Sequence, residues 1–190
     1  MNYFASFVLF LLVFSVVFEL TAFDRALQKN LVKHNSARID SAAENEQVLD
    51  FFSTGSLELN LTSDEMSHMQ DVKKLNDYFK LFIWLLVVVF GVAVYFSMEG
   101  IKILEGLWLP LVIGVVLSMP CLFFPEQVFS LFHKVFFPQG NYLFGADSFL
   151  VSLYPKAYFF SLFYSILLRA FSAVIFLIIV SLSCKRMFRK

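Results

Sequence analysis

Apolar positions along the chain fall into four long runs, and the stretches between them alternate polar with apolar residues at helical spacing. The runs are Tyr3–Phe23, Phe79–Met98, roughly Leu104–Phe124 and about Tyr158–Cys184. Each reaches the ~20 helical residues needed to cross a hydrocarbon core of ~30 Å. The pattern therefore predicts an all-α membrane protein of four transmembrane helices, a single domain over residues 1–190. Two outward-facing helical loop segments, 24–78 and 125–157, join the spans. The first run has no basic leader and continues as "FELTAFDRAL", so it reads as a retained anchor. Past it, the spacing extends that helix beyond Arg25.

Orientation follows from the basic tail "CKRMFRK", where Lys185, Arg186, Arg189 and Lys190 abut the fourth span. The expectation is cytoplasmic N- and C-termini, a tight cytoplasmic hairpin at 99–103 with Lys102, and both large loops outside the cell membrane. All three histidines lie in those loops.

The stretch "LTSDEMSHMQDVKKLNDYFKLF" carries Thr62-x-x-Glu65, a capping box that predicts a helix start, and nothing breaks that helix before the second span. Asp64, His68, Asp71 and Lys74 recur at i,i+4 and i,i+3, so one face offers carboxylate, imidazole, carboxylate and ammonium. A carboxylate beside a histidine can fix its tautomer and raise its basicity. The same spacing also suits a solvated helix with ordinary ion pairs. His34, between Lys33 and Asn35, reads as solvated.

The second loop opens "PEQVFSLFHKVFFPQGNYLFGADSF". Pro125 suits a first helical position. Glu126, Ser130, His133 and Lys134 then share one face, with Val128, Phe129, Phe132, Val135 and Phe136 opposite. That is an amphipathic helix lying in the membrane interface, with His133 on its polar side and a turn at Pro138 and Gly140. Asp147 follows, and Tyr142, Tyr154 and Tyr158 fit an interfacial aromatic belt. A platform of this kind could equally be a simple anchor.

Composition sharpens the class. The chain is 59% hydrophobic and only 16% charged, too little polar surface to cover a soluble core. Net charge is zero, which gives no electrostatic footprint for nucleic acid. Cys121 and Cys184 fall at opposite ends of the predicted spans, so no disulfide between them is expected. Arg169 lies inside the fourth span, where a charge is costly and usually paired. Glu19 is the best-placed partner for an intramembrane pair. Pro110 and Pro120 could kink the third span and open a cavity beside them.

Together "HMQDVKKL" and "FHKVFFPQGNYLFGADSF" resemble the bacterial lipoprotein intramolecular transacylases and the wider group of integral membrane proteins around them. The turn "FFPQGNY" departs from the family pattern, with Tyr142 in place of another aromatic. The resemblance implies an O-to-N acyl shift, in which a fatty acyl chain moves from the glyceryl ester of a lipidated N-terminal cysteine to that cysteine's α-amine. The catalytic residues would be His68 and His133. His68 would be the base, oriented by Asp71, and His133 the acid or oxyanion donor, though the roles could be exchanged. Asp71, Lys74, Tyr142 and Asp147 would support them. A membrane lipid or lipidated protein is the implied substrate, with no cofactor, no metal, no nucleic acid and no protein partner. Two rivals remain: metal-assisted hydrolysis with His68, His133, Asp71 and Asp147 as ligands, and a non-catalytic lipid-binding or structural role. His68 precedes Phe79 by three helical turns, so a straight helix would lift it about 16 Å above the apolar boundary. Its meeting with His133 is therefore the critical expectation.

Overall fold

The structure is a computed structural model that describes residues 3–97 and 100–187. Every regular element among them is helical: α1 (Tyr3–Ala22), α2 (Arg25–Asn35), α3 (Ser41–Thr54), α4 (Ser63–Ser97), α5 (Gly100–Glu105), α6 (Trp108–Phe123), α7 (Pro125–Phe136), α8 (Phe149–Leu153) and α9 (Lys156–Met187). Four helical stretches, Tyr3–Ala22, Ser63–Phe96, Lys102–Phe123 and Lys156–Met187, each contain a segment long and apolar enough to span a membrane; in the second that segment begins at Phe79, beyond the polar turns of residues 63–78. The expected end of the second span at Met98, the first residue of the 99–103 hairpin, and Arg189 and Lys190 lie outside the described residues.

The chain clusters into two compact units. The first comprises residues to Glu19, Phe79–Leu122 and Ile166 onward. Its core packs Phe10, Leu107 and Val174, flanked by Phe14, Leu104, Leu111 and Phe171. Outside that core, Trp84, Leu85, Val88, Leu117 and Phe176 are exposed apolar side chains, the surface a bilayer solvates and water does not. The third span is built from two helices, because the backbone tightens at Gly106 and Leu107. Ser6 explains the glycine: its hydroxyl donates to Ile103 O at 2.7 Å, and a Cβ on Gly106 would stand 2.1 Å from Ser6 Oγ. The interruption sits there, while Pro120 lies within α6. Glu19 stands 3.6 Å from Lys80, and Glu105 pairs with Lys185 at 2.8 Å. Both cysteines are free.

The second unit, Leu20–Tyr78 and Phe123–Ser165, holds the histidines. The first helix does not run past Arg25 as its spacing suggests. It ends at Ala22, and Asp24 caps a new helix by accepting from the amides of Ala26 and Leu27, both at 3.1 Å. Helix α3, which the polar pattern does not announce, ends at Gly55 in the left-handed region, with φ at +80°. It joins α8 and α4 around Val48, Phe51, Met69, Leu150 and Leu153. Tyr154 and Tyr158 are not belt residues here. Their hydroxyls donate to Asn45 and Gln28, and Tyr158 is buried.

The capping box forms as expected. Thr62 N donates to Glu65 Oε2 at 2.9 Å, and Glu65 N donates to Thr62 Oγ1 at 3.3 Å. Helix α4 then continues unbroken for 35 residues. Glu65 does more than cap. Its other oxygen accepts from Ser148 Oγ at 2.5 Å and from Leu150 N at 3.1 Å, tying the start of α4 to the start of α8. Burial raises the pKa of this carboxyl, but the bonds from Ser148, Thr62 and Leu150 together outweigh burial and hold it below the usual value. Replacing Glu65 by Ala leaves buried donors unmet, and each charged bond is worth roughly 1.5–3 kcal/mol. Glu65→Ala is thus expected to lower the stability of the detergent-solubilised protein by about 3 kcal/mol, read by thermal melting, with Glu65→Gln losing less.

Candidate active site

His68 and His133 meet. Their ring centroids are 6.1 Å apart and the planes incline by 23°, a stacked pair formed by residues from distant parts of the chain. His68 comes from the second turn of α4, fixed by the capping box below it. His133 comes from the last turn of α7. Aromatic rings enclose both. Phe137 and Phe144 make T-shaped contacts with His68 at 4.7 and 5.5 Å, and Phe129, Tyr142, Phe132 and Phe137 surround His133 at 4.2–5.6 Å.

Sequence periodicity places His133 on the polar face of its helix, and the structure corrects this. Its ring is half-buried, turned inward beside Phe129 and Phe137, while Glu126, Ser130 and Lys134 lie on the outer side of α7. Leu131 (61% exposed), Val135 (61%), Phe132 and Phe136 form a separate open apolar facet. Helix α7 therefore has three sides, and the imidazole belongs to the one that packs. His133 Nδ1 lies 2.8 Å from Phe129 O. A carbonyl only accepts, so Nδ1 carries the proton and the neutral ring keeps its lone pair on Nε2.

His68 is buried, 8% exposed, and its Nδ1 has no hydrogen-bond partner among the described residues. Burial first, then the proximity of His133, pushes its pKa from the ordinary 6.5 down to about 4, against the Asn141 side chain and the charge of Asp71. Burial also lowers the pKa of His133, opposed by the Phe129 carbonyl. Both shifts favour the neutral form of the rings.

Asp71 does not bond to either imidazole. Its Oδ1 takes Lys74 Nζ at 3.1 Å, and its Oδ2 takes both Gln139 Nε2 at 2.7 Å and Asn141 Nδ2 at 2.8 Å. Lys74, then Asn141 and Gln139, hold its carboxyl below the usual range. This explains the Pro-Gln-Gly-Asn turn after α7: its two amides clasp a carboxylate one turn beyond His68. Gln139 and Asn141 are the site residues that sequence reading misses; their only signal is the positive-φ turn at Gly140 flanked by amides. Tyr142 is half-buried against His133. Asp147 is exposed, its carboxylate lying over Gly145. His34 is exposed, with a ring nitrogen 2.7 Å from Asn30 O. Among the described residues no three His, Cys, Asp or Glu side chains converge to hold a metal ion.

The fold is that of an all-helical, multi-pass membrane protein, and its second unit brings together a buried and a half-buried imidazole. Residues 2–159 match the family model of the lipoprotein intramolecular transacylase Lit, and the chain belongs to that family. The family is one of acyltransferases acting on lipoproteins, so the acyl shift is this chain's activity class. A solved structure of the membrane-integral transacylase Lit from Bacillus cereus shares the fold, with a TM-score of 0.81 at 17% identity over 98% of this chain and 96% of that one. A second, of the same enzyme with a histidine-to-arginine mutation, gives 0.73 at 17% identity over 98% and 92%. No curated protein matches the chain.

The protonation states have a thermodynamic consequence. His68 binds its proton less readily folded (about 4) than unfolded (6.5), so between those values the unfolded chain holds more protons and stability falls as pH falls. His133 acts in the same sense. Thermal melts at pH 7.0, 5.5 and 4.5 are expected to show progressive loss of stability. A His68→Gln variant, measured alongside, should show a shallower slope across that interval.

Proposed function

We propose that the imidazole pair catalyses the O-to-N acyl shift on the lipidated N-terminal cysteine of a lipoprotein, with His68 as base and His133 as acid. The observation that carries this is the 6.1 Å stack of two rings set in apolar surroundings that shift them unequally. Where two titratable neighbours are driven apart in basicity, the less basic one is free to accept a proton and the more basic one to hold it. His68 offers a buried Nδ1 with nothing bonded to it. His133 keeps one N–H on Phe129 O and has Nε2 left to carry the moving proton.

The reaction needs no enzyme nucleophile, because ester and amine belong to the same molecule, and well-oriented tethering is worth about 7–11 kcal/mol. His68 removes a proton from the α-amine as its nitrogen attacks the ester carbonyl. The tetrahedral intermediate forms, the proton taken up by His68 passes to the free Nε2 of His133, and His133 delivers it to the glyceryl oxygen as the carbonyl–oxygen bond breaks. One proton has moved from nitrogen to oxygen, and both rings end neutral, as they began. Phe137, Phe144 and Tyr142 keep bulk water from the intermediate, which hydrolysis would otherwise divert.

Lys74 supports by neutralising Asp71, Tyr142 by covering His133, and Asp147 by adding an exposed carboxylate to the loop that follows. Glu19 and Arg169 are proposed as an intramembrane pair that stabilises the spans, with Lys80 beside the same carboxylate. The proposed orientation puts both termini in the cytoplasm and the histidine-bearing segments outside, where lipidated N-termini reside. The open facet of α7 would then rest on the lipid surface.

Mass spectrometry of lipoprotein N-terminal peptides tests the reading. Cells with the intact protein should yield N-acylated lyso-form peptides. His68→Ala or His133→Ala should each cut that yield by about 10²–10⁴-fold, the usual contribution of one acid–base group, while the circular dichroism of the purified variant stays helical. Unchanged acylation in the double variant would sink it.

A further inference from the structure

Helical spacing makes Asp71 the natural residue to orient His68 directly, yet its oxygens are occupied by Lys74, Gln139 and Asn141. The Asn141 side chain interacts with both, bonding to Asp71 and acting on the His68 ring. Its Nδ2 donates to Asp71 Oδ2 at 2.8 Å and reaches toward Ser67 Oγ at 3.4 Å. An amide that has committed its nitrogen to a carboxylate cannot flip, because turning would set Oδ1 against that carboxylate. Oδ1 is thereby fixed on the other side, where it receives Gln139 Nε2 at 3.3 Å and retains a second lone pair.

We propose that Asn141, locked by Asp71, is the positioning residue that sets the tautomer of His68: its Oδ1 accepts the Nε2–H of the ring and leaves the Nδ1 lone pair free to act as base. Three observations agree. Among the described residues His68 Nδ1 is the ring nitrogen with no hydrogen-bond partner, which leaves its lone pair uncommitted. The Asn141 side chain lies beside the ring and favours its protonated form. Gln139 reinforces the clasp from two residues away, bonding to both Asp71 and Asn141, so the amide plane is held at both ends. The charged or titratable groups that act on His68 are Asp71, from its own helix, and His133, from α7. Outer partners of this kind, acting through a ligand or base they orient, typically change activity by about 10–100-fold.

This rests on His68 being the base, and two measurements separate the claims. Nitrogen-15 NMR of histidine-labelled protein in detergent micelles at pH 7 reports which ring nitrogen bears the proton. In the unsubstituted protein His68 should be the Nε2–H tautomer, whereas Asn141→Ala and Asp71→Ala should each give a mixture of both. The same two variants should lower kcat by about 10–100-fold with KM within about twofold. The double variant should be no worse than either alone, because the two residues act as one unit. Asp71→Asn, which retains an acceptor for Asn141, should recover part of the loss. A purely structural role would lower stability without moving the tautomer. An Nδ1–H tautomer in the unsubstituted protein, or full kcat in Asn141→Ala while His68→Ala is inactive, overturns the proposal and leaves the catalytic pair standing. Activity in His68→Ala overturns both.

Discussion

Two imidazoles stacked at 6.1 Å inside a ring of phenylalanines constrain each other, and the rest of the site is arranged around that constraint. Two unit charges at this separation repel by about 3 kcal/mol even at an effective dielectric of ~20. Burial adds its own penalty for either charge. Near neutrality the pair is uncharged, and adding one proton makes a second much harder to add. The proton then belongs to the pair as a whole. Such a pair is well matched to a reaction that removes one proton from nitrogen and delivers one to oxygen, with no net change.

Holding the rings there falls to two carboxylates that do no chemistry in this scheme. Glu65 and Asp71 lie either side of His68 on the same helix, one turn away in each direction. Glu65 draws in the start of α8, and Asp71 draws in the turn beyond α7. Each converts its charge into bonds with distant backbone or amide donors, which is the condition on which a buried or partly buried carboxylate is tolerated. The histidine between them is thereby approached by two remote segments of chain at once.

The parts of this arrangement legible in the sequence are those whose cause is local. Four apolar runs announce four membrane helices by length alone, and Thr62-x-x-Glu65 announces the start of α4 because a capping box closes within a single turn. The pairing of His68 with His133 is reachable only through motif resemblance, since no periodicity links positions that far apart. What stays hidden depends on distant partners. Gln139 and Asn141 look like ordinary turn residues until Asp71, far earlier in the chain, is placed beside them. His133 looks solvent-facing because a helical wheel sorts residues by polarity, and an imidazole that bonds its own backbone and stacks on phenylalanine can occupy an apolar side. The break at Asp24 escapes for a different reason. Apolar spacing continues across it, and only the two amides it captures reveal the new helix.

Gly140 carries no functional group, yet the site depends on it. Its φ of +80° lies in backbone space that disfavours a β-carbon, and nothing crowds the position that such a carbon would take. For an ordinary residue that conformation costs roughly 1–2 kcal/mol. The requirement is thus for the bend itself and not for room. Because Gln139 and Asn141 flank it, any residue that straightened this point would swing both amides off their shared oxygen together. Under the proposed mechanism, a change with no bearing on acid–base chemistry would in this way silence the enzyme, leaving both histidines in the chain and the helices intact.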